Sequence, residues 1–241
     1  MSVLFEGFER QRVGVPGADI NLGVGGTGPP VRLLHGYPQA HVMWHKIAPA
    51  LGERFTVVAA DLRGYGDSSK PPGGPDHAGY AKRAMAADQA AVMGDLGFGA
   101  FSVVGHDRGA RVGLRMALDY PERVARLVVL DVVPTADIFG RVERGLATSY
   151  FHWFMMLQPE PLAETLIGGA PEFWLRWVLE RWSTVPRAFT EAALAEYERC
   201  WTPETIHAAC EDYRAVAVDL EDDAKDADQV LRCPVQVLWG S

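Results

Sequence analysis

The stretch VVGHDRGARVG, Val103 to Gly113, decides how the rest of the chain is read. Gly105-His106-Asp107-Arg108-Gly109 has the frame glycine, any residue, nucleophile, any residue, glycine. That frame marks the tight turn between a strand and a helix, which lifts one side chain above the sheet edge. The two glycines let strand and helix approach closely. A dinucleotide fingerprint fails here, because its middle glycine would fall where Asp107 stands. The lifted residue is a carboxylate, ionised at neutral pH and able to attack carbon directly. It cannot form the acyl-enzyme of an esterase. It can displace a leaving group from an sp³ carbon, giving an alkyl ester on the protein that water must then hydrolyse. Taken alone, Asp107 could instead cap the helix that starts at Arg108.

Outward from this turn the rhythm is strand then helix. Phe5–Val13 and Asp19–Val24 alternate as an antiparallel hairpin, and GVGGTGPP turns the chain. VRLLHGY, FTVVAADL, FSVVGHD, VARLVVLDVV and PVQVLWG read as strands. HVMWHKIAPALGE, Tyr80–Leu96 and RGARVGLRMALDY read as helices. Continuous apolar strands between helices predict an α/β fold, with a mostly parallel sheet covered by helices on both faces. Ligands of such sheets bind at the carboxyl ends of the strands. The rhythm breaks at Pro134. A helical, Trp-rich section runs to about Tyr213, and the strand–helix pattern then resumes. This predicts a core of residues 1–134 and 214–241 with an inserted helical cap at 135–213. Trp174, Trp177, Trp182 and Trp201 are expected in the core of that cap.

Composition narrows the function classes. Hydrophobic residues make up 48% of 241, enough for a sizeable core. The net charge of −8 argues against nucleic acid and anionic membranes as partners, while a local arginine cluster could still hold a small anion. No apolar run reaches spanning length, and the start lacks a signal pattern. Cys200, Cys210 and Cys233 have no metal-like spacing and fit reduced thiols in a cytoplasm. No metal or organic cofactor is implied.

The stretches HGYPQ at 35–39, DLRGYGDSSKP at 61–71 and GHDRGARVGLRMALDYP at 105–121 resemble the α/β-hydrolase superfamily. The resemblance is to its branch with an aspartate nucleophile, and within it most to haloacetate dehalogenases of the fluoroacetate type. Haloalkane dehalogenases and epoxide hydrolases usually place tryptophan after the nucleophile. Here Arg108 follows, with Arg111 three residues on and on the same helix face. The first helical turn already favours anions, so two guanidiniums there make a fork for a carboxylate. A 2-halo acid held that way would set its α-carbon beside Asp107. Arg115, a further turn along, is expected at the surface, and His35 is expected to be structural.

The backbone amides of Tyr37 and Arg108 are placed to support an oxyanion during ester hydrolysis. The resemblance further implies that Asp131 orients a catalytic histidine, and that His152, Trp153 and Tyr213 receive the halide. The expected partners are a small anionic 2-halo acid and water. A homodimer stays open. None of His35, His41, His45, His77, His106, His152 and His207 fits the hydrolytic base, and strand alternation points His106 away from the site. The family's base histidine lies beyond the strand VQVLWG, so the chain is expected to be C-terminally truncated and unable to turn over alone. Kept open are an epoxide hydrolase or haloalkane dehalogenase, and a non-turnover binding protein on the same fold.

Overall fold

The computed structural model describes residues 3–185 and 187–240. Seven strands form one sheet: β1 (Glu9–Val15), β2 (Ala18–Gly25), β3 (Pro30–Leu34), β4 (Thr56–Ala60), β5 (Phe101–His106), β6 (Val124–Leu130) and β7 (Val235–Leu238). Their spatial order is β1-β2-β4-β3-β5-β6-β7. β1 pairs antiparallel with β2, and β2 antiparallel with β4. All remaining pairings are parallel. The chain leaves β3 for β4 on one side and later returns to β5 on the other. β3 and β5 are therefore neighbours at the point where the winding reverses, and a crevice opens above such a point.

The central strands are largely apolar because both faces are covered, with Arg32 of β3 a buried exception. Leu33, Leu34, Val57, Val58 and Val103 are fully buried, each contributing roughly 1.5–3 kcal/mol through removal from water. Helices α1 (Ala48–Gly52), α2 (Lys82–Asp95) and α3 (Arg108–Asp119) link the strands up to β6. Between β6 and β7 every regular element is helical: α4 (Thr135–Gly140), α5 (Arg144–Ser149), α6 (Phe151–Met156), α7 (Leu162–Gly168), α8 (Pro171–Trp182), α9 (Glu191–Cys200), α10 (Pro203–Arg214) and α11 (Val216–Lys225). β7 closes the sheet order and is exposed along its length. Among the described residues, no helix is long and apolar enough to cross a membrane.

Two local expectations fail for identifiable reasons. The single helix expected over 41–53 is a 3₁₀ turn at His41–Lys46 followed by the short α1. Pro49 lacks an N–H, and its ring would clash with the His45 carbonyl in a continuous helix. Arg115 is not at the surface. It is 4% exposed and reaches Asp119 at 2.5 Å and Asp226 at 2.8 Å, because α11 ends over α3 and brings Asp226 to it.

Candidate active site

Asp107 stands between β5 and α3 with φ 48° and ψ −116°, outside the usual regions for an L-residue. Such a conformation costs on the order of 1–3 kcal/mol and persists only where the surroundings enforce it. The enforcement comes from main chain. A Cβ on Gly109 would lie 2.4 Å from the His35 carbonyl oxygen, and one on Gly105 would lie 2.5 Å from the Gly109 oxygen. The loop after β3 closes from the other side. A Cβ on Gly36 would meet the Asp107 Cβ at 2.7 Å, so only glycine lets this loop pass. The next residue, Tyr37, donates its backbone N–H to Asp107 Oδ2 at 3.0 Å. The expected amide donor at Tyr37 is thus in place. No hydrogen bond runs from the Arg108 amide to this carboxylate among the described residues. His35 is wholly buried and structural, its Nε2 accepting from the Leu62 amide at 2.9 Å.

The two arginines have different surroundings. Arg108 is 2% exposed and bound by Asp212, with Nε 2.9 Å from Oδ2 and Nη2 on both Oδ1 and the Asp212 carbonyl. Burial favours the neutral guanidine, but the Asp212 charge overrides it and holds Arg108 firmly protonated. Its guanidinium carbon also lies 4.2 Å from the Tyr213 ring centroid. Arg111 is 6% exposed, and its polar contact is Nη1 to Thr135 Oγ1 at 2.7 Å. Its Nε is buried without a partner, and no acid within the described residues forms an ion pair with it. Its carbon sits 4.7 Å from the Trp153 ring centroid. Burial lowers its pKa, as expected for a desolvated cation.

His152, Trp153 and Tyr213 are brought together, at 5%, 2% and 2% exposure. Ring centroids are 5.8 Å apart for His152–Tyr213 and 5.5 Å for Trp153–Tyr213. His152 Nδ1 is buried without a partner, and neither the Trp153 indole N–H nor the Tyr213 hydroxyl is bonded within the described residues. Burial drives the His152 pKa down to about 3, so its imidazole is neutral at pH 7. Burial raises the Tyr213 pKa, and the Asp107 charge adds to the rise, so the hydroxyl keeps its proton. A neutral imidazole, an indole N–H and a phenol can each donate one hydrogen bond.

A cavity of about 420 Å³ lies over the turn. Tyr37, Asp107, Asp131, His152 and Trp153 line it, and so does His106. The expectation for His106 is therefore corrected. Alternation does put it opposite Phe101, Val103 and Gly105, but the strand ends there and the imidazole lies against Gly36, which has no side chain to exclude it. Asp131 follows β6 at φ 51°, with its amide bonded to the Leu238 carbonyl at 2.9 Å. Its carboxylate is exposed and has no bonded partner among the described residues. The walls of this cavity do not include Arg108 or Arg111. Arg111 borders a second cavity of about 430 Å³, with Arg115, Thr135 and the acids Asp219, Asp222, Asp223 and Asp226.

A family model described as alpha/beta hydrolase fold matches residues 29–235. The chain belongs to the alpha/beta hydrolase family. A fluoroacetate dehalogenase of Burkholderia sp is 48% identical over 241 residues, covering 99% of this chain and 79% of the relative. A soluble epoxide hydrolase of Corynebacterium sp. (strain C12) is 36% identical over 225 residues, covering 89% and 74%. The solved structure of ALR0039 from Nostoc sp PCC 7120, described as an alpha/beta hydrolase, matches with a TM-score of 0.96 at 56% identity, covering 97% of this chain and 81% of that one.

Three residues of this alpha/beta hydrolase escaped the sequence reading. Trp182, expected in the core, is 40% exposed, lines the cavity and lies 4.4 Å from the His152 ring. Trp174 donates its Nε1–H to the Tyr37 hydroxyl at 2.7 Å. Asp212 adjoins Tyr213 and binds Arg108. Tryptophan in a helix signals burial without saying against what, and an acid beside a tyrosine signals nothing locally.

Proposed function

We propose that this alpha/beta hydrolase cleaves the carbon–halogen bond of a haloacetate, with fluoroacetate as the preferred class member, to give glycolate and halide. The observation that carries this is Arg111. A buried guanidinium without a direct ion pair is costly even with the fields of Asp107 and Asp223 upon it, and a substrate carboxylate would neutralise it. Arg108, whose Nη1 is free of Asp212, is the second donor proposed for that carboxylate. In this reading a change of rotamer at Arg111, which borders the second cavity, brings its head beside Asp107. Asp107 Oδ1 then attacks the α-carbon as the carbon–halogen bond breaks on the opposite side. The halide leaves toward His152, Trp153 and Tyr213. Fluoride has concentrated charge, so three short donors help it most in the transition state. Oδ2, already bonded to the Tyr37 amide, becomes the ester carbonyl oxygen and carries the charge when water adds to the ester. That water adds at the carbonyl carbon of Asp107 and releases glycolate and one proton.

The base for that water is proposed to be a histidine outside the described residues, oriented by Asp131. His152 is too weak a base with a pKa near 3. In this reading residues 135–213 act as a cap over a core of 1–134 and 214–241, no metal or organic cofactor takes part, and the protein works in the cytoplasm. A second reading, epoxide hydrolysis, has one observation in its favour. Tyr150 and Tyr213 both have raised pKa values and would donate to an epoxide oxygen. It leaves Arg111 without a direct ion pair, because an epoxide is neutral.

The test is to incubate the chain with bromoacetate and with bromoacetamide, reading intact mass and released halide. The carboxylate substrate should give a carboxymethyl adduct on Asp107, absent from Asp107→Asn and persisting without multiple turnover. Equal reaction of the amide would remove the case built on Arg111. Repeated halide release by residues 1–241 would mean that a described residue, with His106 first in line, is the base.

A further inference from the structure

Asp212 lies outside the walls of the cavity over Asp107. It is wholly buried on α10, and every oxygen it has is used. Oδ1 accepts from Lys82 Nζ at 2.5 Å and from Arg108 Nη2. Oδ2 accepts from Arg108 Nε at 2.9 Å and from the Tyr65 hydroxyl at 2.7 Å. Lys82 also reaches Asp219 Oδ2 at 3.3 Å, and its backbone N–H donates to Asp219 Oδ1 at 2.7 Å. Arg108, Lys82, Asp212 and Asp219 make a quartet of two cations and two anions, none more than 5% exposed. Burial alone would raise the Asp212 pKa, but the fields of Arg108 and Lys82 override it and hold the carboxyl ionised.

We propose that Asp212 is a positioning residue that fixes Arg108 and Tyr213 as one unit, spending the Arg108 charge inside the protein and leaving that of Arg111 for the substrate. This rests on the haloacid reading above. A two-point fork sets the plane of the Arg108 guanidinium, which plain charge balance would not do. The next residue along α10, Tyr213, lies over that plane at 4.2 Å. Its ring in turn meets Tyr37 at 5.3 Å and Trp153 at 5.5 Å. One carboxylate on the helical side thus registers α10 against the first turn of α3. A shift of α10 would move the proposed carboxylate donor and the proposed halide donor together.

The experiment measures glycolate binding by calorimetry alongside melting temperature. Asp212→Asn alone leaves the quartet with an unbalanced positive charge and would be expected to unfold readily. Asp212→Asn with Lys82→Met restores neutrality and cuts the two-oxygen fork to one side-chain acceptor beside the backbone carbonyl. This double variant should fold and bind glycolate at least about tenfold more weakly, a loss of roughly 1.4 kcal/mol. Lys82→Met with Asp219→Asn keeps both the fork and the charge balance, and should bind within about twofold of wild type. Tyr65→Phe removes one donor from Oδ2 without changing charge, and should weaken glycolate by about two- to fivefold at nearly unchanged melting temperature. If the double variant does not fold, Tyr65→Phe decides. Glycolate binding equal to wild type in the folded double variant, or in Tyr65→Phe, overturns the positioning role. Absence of glycolate binding to wild type overturns the haloacid reading itself.

Discussion

On the sheet side of the cavity, Asp107 is held by main chain: glycines that admit carbonyl oxygens at contact distance, and the Tyr37 amide on its carboxylate. On the helical side, His152, Trp153 and Tyr213 are held by other side chains: rings 4.4 to 6.1 Å from neighbouring rings, and guanidiniums under the faces of Trp153 and Tyr213. The first wall is rigid because hard atoms leave it one geometry. The second is a packed set of rings whose positions depend on one another. Substitutions on the sheet side should therefore act through the fold, and those on the helical side through selectivity.

The largest expected effect tests the first half of that contrast. Gly109→Ala puts a methyl 2.4 Å from a backbone oxygen that cannot rotate away. It should cost several kcal/mol, roughly the upper range for single substitutions, and appear as loss of soluble protein or a steep fall in melting temperature. Unchanged melting would mean that this wall is softer than described. Next comes Arg111→Leu. Losing a desolvated charge-assisted pair should slow Asp107 alkylation by bromoacetate by about two orders of magnitude, with bromoacetamide nearly unaffected. A parallel fall for both would make Arg111 a packing residue.

Trp153→Phe keeps a ring and deletes one N–H. The rate with fluoroacetate should drop about tenfold further than that with bromoacetate, because bromide needs less stabilisation. Equal losses would reduce Trp153 to packing and weaken the distinction between the walls.

The last effect concerns acid stability and leaves the chemistry untouched. The His152 pKa falls from 6.5 unfolded to about 3 folded, so the unfolded chain binds a proton between those values that the native protein refuses. Stability from this group is complete above pH 6.5 and declines toward pH 3, by at most about 1.4 kcal/mol per pH unit. His152→Asn should make the decline of melting temperature between pH 6.5 and 4 shallower. An unchanged slope would show that the His152 ring is less desolvated than its packing implies.

What was legible in the sequence follows the same divide. The elbow at 105–109 and the loop at 35–39 are local in sequence because a backbone turn needs particular residues at fixed offsets, so Asp107 and the Tyr37 amide could be placed from their neighbours alone. His152, Trp153 and Tyr213 were named through resemblance, and the structure brings them together. Asp212 could not be read, since its partner Arg108 lies 104 residues away and nothing in CEDYRA fixes the direction of its side chain. Trp182 and Arg115 were misjudged for one reason. Residue type predicts average burial, while the wall a helix presents depends on which element crosses it. His106 was misjudged because alternation ceases to govern a side chain at the last residue of a strand, next to a glycine.

The unusual torsions of Asp107 belong to the turn, and its carboxylate adds one bond, to the Tyr37 amide. Steric closure by Gly36, Gly105 and Gly109 would project any compact side chain at that position to the same point above the sheet. The scaffold therefore constrains the backbone more tightly than the atom it presents. A change in one codon could replace oxygen of one kind with another and alter the type of covalent intermediate, with the fold hardly disturbed. In the proposed reading, choice of substrate is spread over side chains separated by more than a hundred positions. Reaction type and substrate range can thus drift independently in descendants of this chain.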